Sequence, residues 1–228
     1  MSNLPADVLE HDLPERLERV RGRIARAAED AGRDPAGITL VVVTKFQPVE
    51  LVGALHAAGV RDFGESRHPE ARDKAAAVPD ATWHFVGQLQ TNKARQVARY
   101  ADVIHSVDRP ELVDALAGQD VDVLLQVDLG VGEQAGRGGA RPGELPALAE
   151  RTLAAGLRLR GVMTVAPQNV PPATAFTALA MTAQRVRAVE PTATWISAGM
   201  SGDYAEAIAA GATHLRIGTA ITGPRPGG

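Results

Sequence analysis

The sequence predicts an α/β fold: a single-domain (β/α)8 barrel, of the TIM-barrel type, preceded by an extra N-terminal helix. Eight short apolar runs, alanine-rich segments between them and a chain of 228 residues support this prediction. Strict alternation of strand and helix implies parallel strands with right-handed crossovers. Eight such strands in this length fit a closed barrel better than an open doubly wound sheet. We therefore expect one domain over residues 1–228.

The elements are predicted in chain order, beginning with an amphipathic helix from Leu13 to Ala31 that Gly32 ends. Its apolar face consists of Leu13, Leu17, Val20, Ile24, Ala27 and Ala31. The predicted strands cover residues 38–44, 60–63, 83–86, 103–106, 123–127, 159–165, 194–197 and 214–217. The predicted helices that alternate with them cover residues 48–58, 69–77, 92–100, 110–116, 142–155, 173–189 and 204–210.

Composition excludes several classes of function. A net charge of -3 without a sustained Lys/Arg run gives no electrostatic footprint for nucleic acid or an anionic membrane. The absence of cysteine rules out disulfides and zinc thiolates and fits a reducing compartment. The N-terminus lacks the regions of a signal peptide, and no apolar run reaches membrane-spanning length. We expect a cytoplasmic, monomeric protein with a small-molecule partner.

Lys45 is the first candidate for chemistry, since it closes the apolar run 38–44. Burial disfavours the charged form of a lysine and lowers its pKa, and a neutral amine can attack an aldehyde to form a Schiff base. The alternative is a strand-end lysine that extends its stem to solvent. On the evidence of Lys45 alone, the solvent-exposed lysine is the favoured interpretation.

Two glycine-rich turns change that balance. The strand 214–217 runs into Gly218 and Thr219, and the strand 194–197 leads into the turn around Ser201 and Gly202. Such turns let backbone N–H groups approach an anion, although either one alone can serve shape only. In a barrel, the loops after strands seven and eight commonly bind phosphate on the face where all strands end. We therefore expect Lys45 to converge with both turns.

Other residues at the strand ends have less specific signals. His84, His105 and His214 belong to different strands and show no paired ligand spacing, so no metal site is expected. Met163 ends the sixth strand, where it can belong to the core or pack against a flat ring. Ser66 follows the second strand in a polar loop.

Five segments together carry a resemblance to a known family. They are Thr44-Lys45, Phe63-Gly64-Glu65, the run from Trp83 to Lys93, the run from Gly199 to Tyr204, and Arg216-Ile217-Gly218-Thr219-Ala220. In this order they resemble the pyridoxal phosphate homeostasis proteins, single-domain relatives of the alanine racemase N-terminal barrel. The resemblance covers essentially the whole chain.

The resemblance implies pyridoxal phosphate as the cofactor, held by Lys45 as a Schiff base. It places Ser201, Gly202, Gly218 and Thr219 at the phosphate and Arg216 at the pyridine nitrogen. It also implies cofactor contacts for Met163, Ser66 and His84, with Ser66 standing where the family usually has Asn. Arg137, in the glycine-rich segment 130–139, replaces a lysine common in relatives, and arginine cannot form an imine under ordinary conditions.

Arg216 also bears on catalysis, because a permanent charge beside the ring nitrogen disfavours its protonation and weakens the ring as an electron sink. In the racemases a tyrosine from a separate C-terminal domain supplies a second base, and we expect none here. The first hypothesis is a non-catalytic carrier that holds the cofactor reversibly for intracellular vitamin B6 homeostasis and delivers it to apoenzymes. The second is a racemase or lyase of low activity. A scaffold that binds a partner protein is weaker, because it leaves Lys45 unused.

Overall fold

The computed structural model describes residues 12–130 and 138–224, and the predicted barrel is confirmed. Eight parallel strands close in sequence order, with β8 paired to β1. The strands are β1 Thr39–Val43, β2 Asp62–Glu65, β3 Thr82–Phe85, β4 Val103–Val107, β5 Asp122–Gln126, β6 Arg158–Met163, β7 Trp195–Ser197 and β8 His214–Ile217. Each overlaps the apolar run that predicted it.

The helices form the outer layer. Those in the described residues are α1 Leu13–Asp30, α2 Val49–Ala57, α3 His68–Ala77, α4 Ala94–Val97, α5 Pro110–Leu116, α6 Leu145–Ala154, α7 Pro172–Val189, α8 Tyr204–Ala209 and α9 Thr219–Thr222. The long helix predicted over 92–100 is only α4, preceded by a 3-10 turn at Thr91–Lys93. The short helix α9 was not predicted, because four residues carry no periodicity.

The extra helix α1 has the predicted position and end. Gly32 follows it with φ +66°, the left-handed conformation that glycine adopts without steric cost. Its buried face turns towards Ala28, which is fully buried, whereas Ala27 and Ala31 are only half-buried. Ala27 and Ala31, which belong to the predicted apolar face, pack against the core as partly buried residues. Ala28 lies four positions after Ile24 and continues the same stripe.

Among the described residues, two apolar regions hold the fold together. The larger one lies between the strands and the surrounding helices. The smaller one contains Val103, Leu124 and Met163, with Val165 and Trp195 packed against it. Because successive strand side chains point to opposite faces, Val103 shares its face of β4 with His105. The smaller region thus fills one part of the barrel interior, and polar side chains fill the rest.

Within the part of the chain that the structure describes, no helix has both the length and the apolar character required to cross a membrane.

Candidate functional site

The ends of β1 and β8 bring two predicted site segments together. Val42 pairs with Ile217 across these strands. A Cβ atom added to Gly218 would lie 3.3 Å from the carbonyl oxygen of Val43, so the turn after β8 packs directly against the end of β1. Lys45 lies two residues beyond Val43 in the turn that follows. The predicted convergence of these two segments is therefore present in the backbone.

Lys45 itself is exposed. Of the two interpretations of Lys45, a buried amine and a strand-end lysine that extends to solvent, the structure agrees with the second, because β1 ends at Val43 and a turn follows. The next residue, Phe46, has φ +66°. Among the residues that the structure describes, it is the only non-glycine residue with a left-handed backbone conformation. Such a conformation is costly for a bulky side chain, so the surrounding contacts must hold the turn in place.

The lysine that is buried is Lys74, on α3. Its Nζ atom donates to the Glu65 carboxylate at 2.6 Å and to the carbonyl oxygen of Thr44 at 2.8 Å. The Thr44 hydroxyl donates to the same carboxylate at 2.8 Å. The backbone N–H of Gln47 donates to the Thr44 carbonyl oxygen at 3.0 Å. These contacts fix the residue that precedes Lys45.

Sequence reasoning missed Lys74, although a signal exists. Ala71, Lys74, Ala75 and Val78 are all buried. Their spacing of three, one and three residues is that of one helix face. A lysine within such a face must be paired, and the carboxylate of Glu65 is its partner.

Arg216 is buried in the barrel interior on β8. It donates to the Ser197 hydroxyl at 2.6 Å and to the carbonyl oxygen of Thr164 at 2.7 Å. Burial lowers the pKa of Arg216 to about 10, and Asp203 opposes this shift. The guanidinium therefore remains charged at neutral pH, and two hydrogen bonds fix its plane.

The turn between β7 and α8 depends on Gly199, whose φ is +93°. A Cβ atom there would lie 2.8 Å from the Cβ of Ala207 and 3.0 Å from the Cα of Tyr204, so only glycine lets this turn pack on α8. Ser201 and Gly202 are exposed in the turn. The two predicted phosphate turns thus follow β7 and β8, which are neighbours in the barrel.

The second phosphate turn is shorter. Gly218 accepts hydrogen bonds from the amides of Ile221 and Thr222 at 2.8 and 3.0 Å, which starts α9. Thr219 is the first residue of that helix and is exposed. The first N–H groups of a helix have no acceptor within the helix, so they are free to bind an anion.

The remaining predicted residues lie at different depths. Ser66 follows β2 and is half-buried, and its amide donates to the Glu65 carboxylate at 3.3 Å. Met163 is 1% exposed within the interior apolar cluster. His84 lies 3.0 Å from Asp62, the first residue of β2, so its ring faces the opposite end of the barrel from Lys45. Direct contact between His84 and a ligand beside Lys45 stays a prediction.

Arg137 and most of the glycine-rich segment 130–139 lie outside the described residues. Among the described residues, no group of three or more histidines or carboxylates has an arrangement that could hold a metal ion. A cavity of about 520 Å³ lies on the outer ring, lined by α3, Trp83, Gln96, Arg99 and Tyr100. Its lining does not include Lys45, Arg216 or the two phosphate turns. Cavity size alone therefore does not locate the predicted site.

Comparison with known proteins identifies relatives over nearly the whole chain. Residues 16–226 match the family described as alanine racemase, N-terminal domain. The pyridoxal phosphate homeostasis protein of Pseudomonas aeruginosa is 39% identical over 222 residues, which cover 93% of this chain and 96% of that protein. The protein of the same name from Mycobacterium tuberculosis is 38% identical over 242 residues, covering 95% and 94%.

Solved structures agree with these sequence relatives. PipY from Synechococcus elongatus is 32% identical, with coverage of 92% of this chain and 99% of PipY. Its TM-score is 0.79 for the structure without PLP and 0.74 for the structure with PLP bound. D-threo-3-hydroxyaspartate dehydratase from Delftia shares the fold at a TM-score of 0.61 and 21% identity, covering 91% of this chain and 59% of the dehydratase.

Proposed function

Because this chain belongs to the alanine racemase N-terminal domain family, among its pyridoxal phosphate homeostasis proteins, we propose that it binds pyridoxal 5'-phosphate (PLP) and maintains the intracellular supply of this cofactor. The observation that carries the proposal is the packing of Gly218 against the end of β1. It supports a shared site for the exposed Lys45 after β1, the glycine-rich turns after β7 and β8, and the buried Arg216 on β8, since these strands are neighbours in the barrel. This set of groups matches an aldehyde, a phosphate and a ring nitrogen in turn.

Lys45 is the proposed covalent attachment point. Its Nζ atom attacks the aldehyde carbon of PLP, a C=N bond forms, and one water molecule leaves. The side chain is exposed, so the aldehyde can reach it without rearrangement of the barrel. Exposure also suits reversible binding, because water can re-enter and hydrolyse the imine.

The phosphate is assigned to the turns that follow β7 and β8. Ser201 offers a hydroxyl, and Gly202, Gly218 and Thr219 offer backbone N–H groups without side-chain obstruction. Gly202 has open space around its Cα, and Gly218 is limited only by the end of β1. Ser66 and Met163 are proposed as ring neighbours at the ends of β2 and β6, and His84 as a more distant contributor.

Arg216 is assigned to the pyridine nitrogen and argues against turnover. Bound PLP supplies an electron sink for carbanion chemistry when its ring nitrogen is protonated. A charged guanidinium beside that nitrogen disfavours a second positive charge there. We therefore propose a carrier that acts without catalysis, as a cytoplasmic monomer formed by the single domain 1–228, and that passes PLP to dependent apoenzymes.

Titration with PLP tests the binding site. Wild-type protein should develop the visible absorbance band of an imine, and Lys45→Ala should not. Lys93→Ala is the matched control, because Lys93 is a half-buried lysine in the turn after β3. The control should bind like wild type. An equal band in Lys45→Ala would contradict the assignment of the covalent site.

Incubation with single L- or D-amino acids tests the proposed absence of turnover. A carrier should cause neither a change of chirality nor exchange of the α-proton with solvent deuterium. Turnover by PLP-loaded wild type that disappears in Lys45→Ala would instead establish the alternative, a racemase or lyase of low activity.

A further inference from the structure

A series of four hydrogen bonds crosses the barrel interior and ends on Arg216. Asp62 lies 3.0 Å from His84 Nε2, and His84 Nδ1 lies 2.9 Å from His105 Nε2. His105 Nδ1 lies 2.9 Å from the Ser197 hydroxyl, which accepts from Arg216 at 2.6 Å. The five residues come from β2, β3, β4, β7 and β8. We call them the interior chain.

Only one arrangement of protons satisfies every member. Arginine is purely a donor, so the Ser197 hydroxyl accepts from it and gives its own proton to His105 Nδ1. A neutral His105 then carries its proton on Nε2 and donates to His84 Nδ1. His84 in turn carries its proton on Nε2 and donates to the Asp62 carboxylate. All donors point away from Arg216 and towards Asp62.

The reverse direction fails at Ser197. If His105 donated through Nδ1, the hydroxyl would accept twice, from His105 and Arg216. Its own proton would then have no acceptor among the residues that the structure describes. An unsatisfied polar group in a buried position costs about 1–3 kcal/mol, which is enough to select one direction.

The charge state of His105 agrees with this arrangement. Its side chain is fully buried, and burial lowers the pKa of His105 well below its ordinary value. The titratable groups that face it, His84, Arg216 and His214, lower that pKa further. His105 is therefore neutral, as the proton order requires.

The Asp62 end of the interior chain reaches solvent. The Asp62 side chain is 29% exposed, whereas that of His84 is 1% exposed. The carboxylate lies at the opposite end of the barrel from Lys45, and its charge is not fully buried. It can therefore accept from His84 without the full desolvation cost of an interior ion.

We propose that Ser197, His105 and His84 are positioning residues for Arg216, with Asp62 as the acceptor at the far end of the interior chain. They act through Arg216, whose assignment to the cofactor ring rests on the proposed function. The Ser197 hydroxyl is fixed as an acceptor, so one guanidinium N–H stays in the interior chain and the plane of the group is set. The remaining donors keep one orientation towards the end of the barrel where Lys45 lies. A chain of this kind controls the field at the ring nitrogen without touching the ligand.

Nitrogen-15 NMR of the histidine rings in the ligand-free protein tests the proton order. At pH 7, His84 and His105 should both be neutral with the proton on Nε2, and Ser197→Ala should shift the Nδ1 resonance of His105. Single His84→Gln and His105→Gln variants assign the signals. A proton on Nδ1 of His105, or a charged His105, would overturn the proposal. No PLP is needed, so this result stands even if the proposed function fails.

Absorbance of the PLP-loaded protein tests the effect on Arg216. Ser197→Ala removes one atom, and Asp62→Ala removes the anchor from a partly exposed position. Both should shift the visible band and weaken PLP binding several-fold while circular dichroism stays unchanged. His214→Gln is the control, because His214 is also buried in β8 but bonds to Thr213 at 2.8 Å and lies outside the interior chain.

If the interior chain had a purely structural role, a different result would be expected. Unfolding would then become easier in Ser197→Ala while the band and the affinity matched those of wild type, which would overturn the proposal. Failure of wild type itself to bind PLP would refute the proposed function and leave the NMR result to decide the interior chain.

Discussion

Lys74 carries a positive charge into the protein directly behind the residue that precedes Lys45. Lys74 is only 5% exposed, and its Nζ atom lies 2.6 Å from the Glu65 carboxylate. A buried ion pair gains little over an apolar pair, but removing one partner leaves an uncompensated charge. The pair is therefore best understood as a device that fixes the Thr44 carbonyl, and with it the turn that presents Lys45.

Replacing Lys74 with methionine keeps the length of the side chain and removes its charge. We expect Lys74→Met to lower the free energy of unfolding by about 3–5 kcal/mol, because Glu65 is left buried without its ion-pair partner. Urea denaturation followed by circular dichroism measures the change. Lys93→Met, at a half-buried lysine outside this pair, should change it by less than about 1 kcal/mol. Equal losses in the two variants would show that the pair has no special role.

The two lysines also show what sequence can and cannot predict at this scale. Lys45 was identified because it follows an apolar run, but the run does not reveal that β1 ends before it and leaves its side chain exposed. Lys74 was missed because alanine gives α3 a weak apolar signal. The bond between His105 and Ser197 joins residues 92 positions apart and follows no periodicity. Such contacts depend on barrel closure.

At the scale of elements, the irregularity of β6 depends on one glycine. The pairing of β5 with β6 shifts register between Val123 and Leu124, and Leu124 then pairs with Gly161. Gly161 has φ +155°, and a Cβ atom there would lie 1.8 Å from the carbonyl oxygen of Trp195. No side chain fits at this position, because the obstacle is backbone of the next strand.

Two alanine substitutions should therefore have opposite effects. Gly161→Ala should destabilise the protein by more than about 3 kcal/mol or prevent folding, since β6 and β7 must separate. Gly22→Ala, within α1 and with no atom within 4 Å of the added Cβ, should stabilise it by about 0.5–1 kcal/mol. Thermal unfolding measures both. A tolerated Gly161→Ala would contradict the observed register shift.

The elements themselves were largely predictable. All eight strands lie at the predicted runs, because fully buried parallel strands give continuous apolar segments. The error at α4 has a physical cause, since a 3-10 turn at Thr91–Lys93 uses up the first part of the predicted helix. Sequence periodicity does not distinguish one turn of 3-10 helix from the start of an α-helix.

At the scale of the whole molecule, neutral histidines in the barrel interior lower the folding stability at acidic pH. Burial lowers the pKa of His214 to about 3; His84, Arg216 and Arg160 act in the same direction, and Asp62 opposes them. Burial also lowers the pKa of His105 well below its ordinary value. In the unfolded chain both histidines have a pKa of about 6.5. Below that pH the unfolded state binds more protons than the folded state, so folding stability falls.

The pH dependence of unfolding tests this consequence. The contribution of His214 is fully present above pH 6.5 and is lost between pH 6.5 and about 3, at about 1.4 kcal/mol per pH unit. His214→Gln has no such titration. Urea unfolding of both proteins between pH 7 and pH 4.5 should therefore show wild type losing stability more steeply than the variant. Parallel curves would mean that His214 is not held neutral in the folded protein.

Covalent attachment of PLP at Lys45 is the central claim, and reduction with borohydride tests it most directly. PLP-loaded protein is reduced, digested and mapped by mass spectrometry, with Lys45→Ala treated in parallel. We predict one stoichiometric pyridoxyl adduct on Lys45 and no stoichiometric adduct in the variant. An adduct on Lys74 or Lys93, the two other lysines of the chain, or on no lysine would contradict the claim.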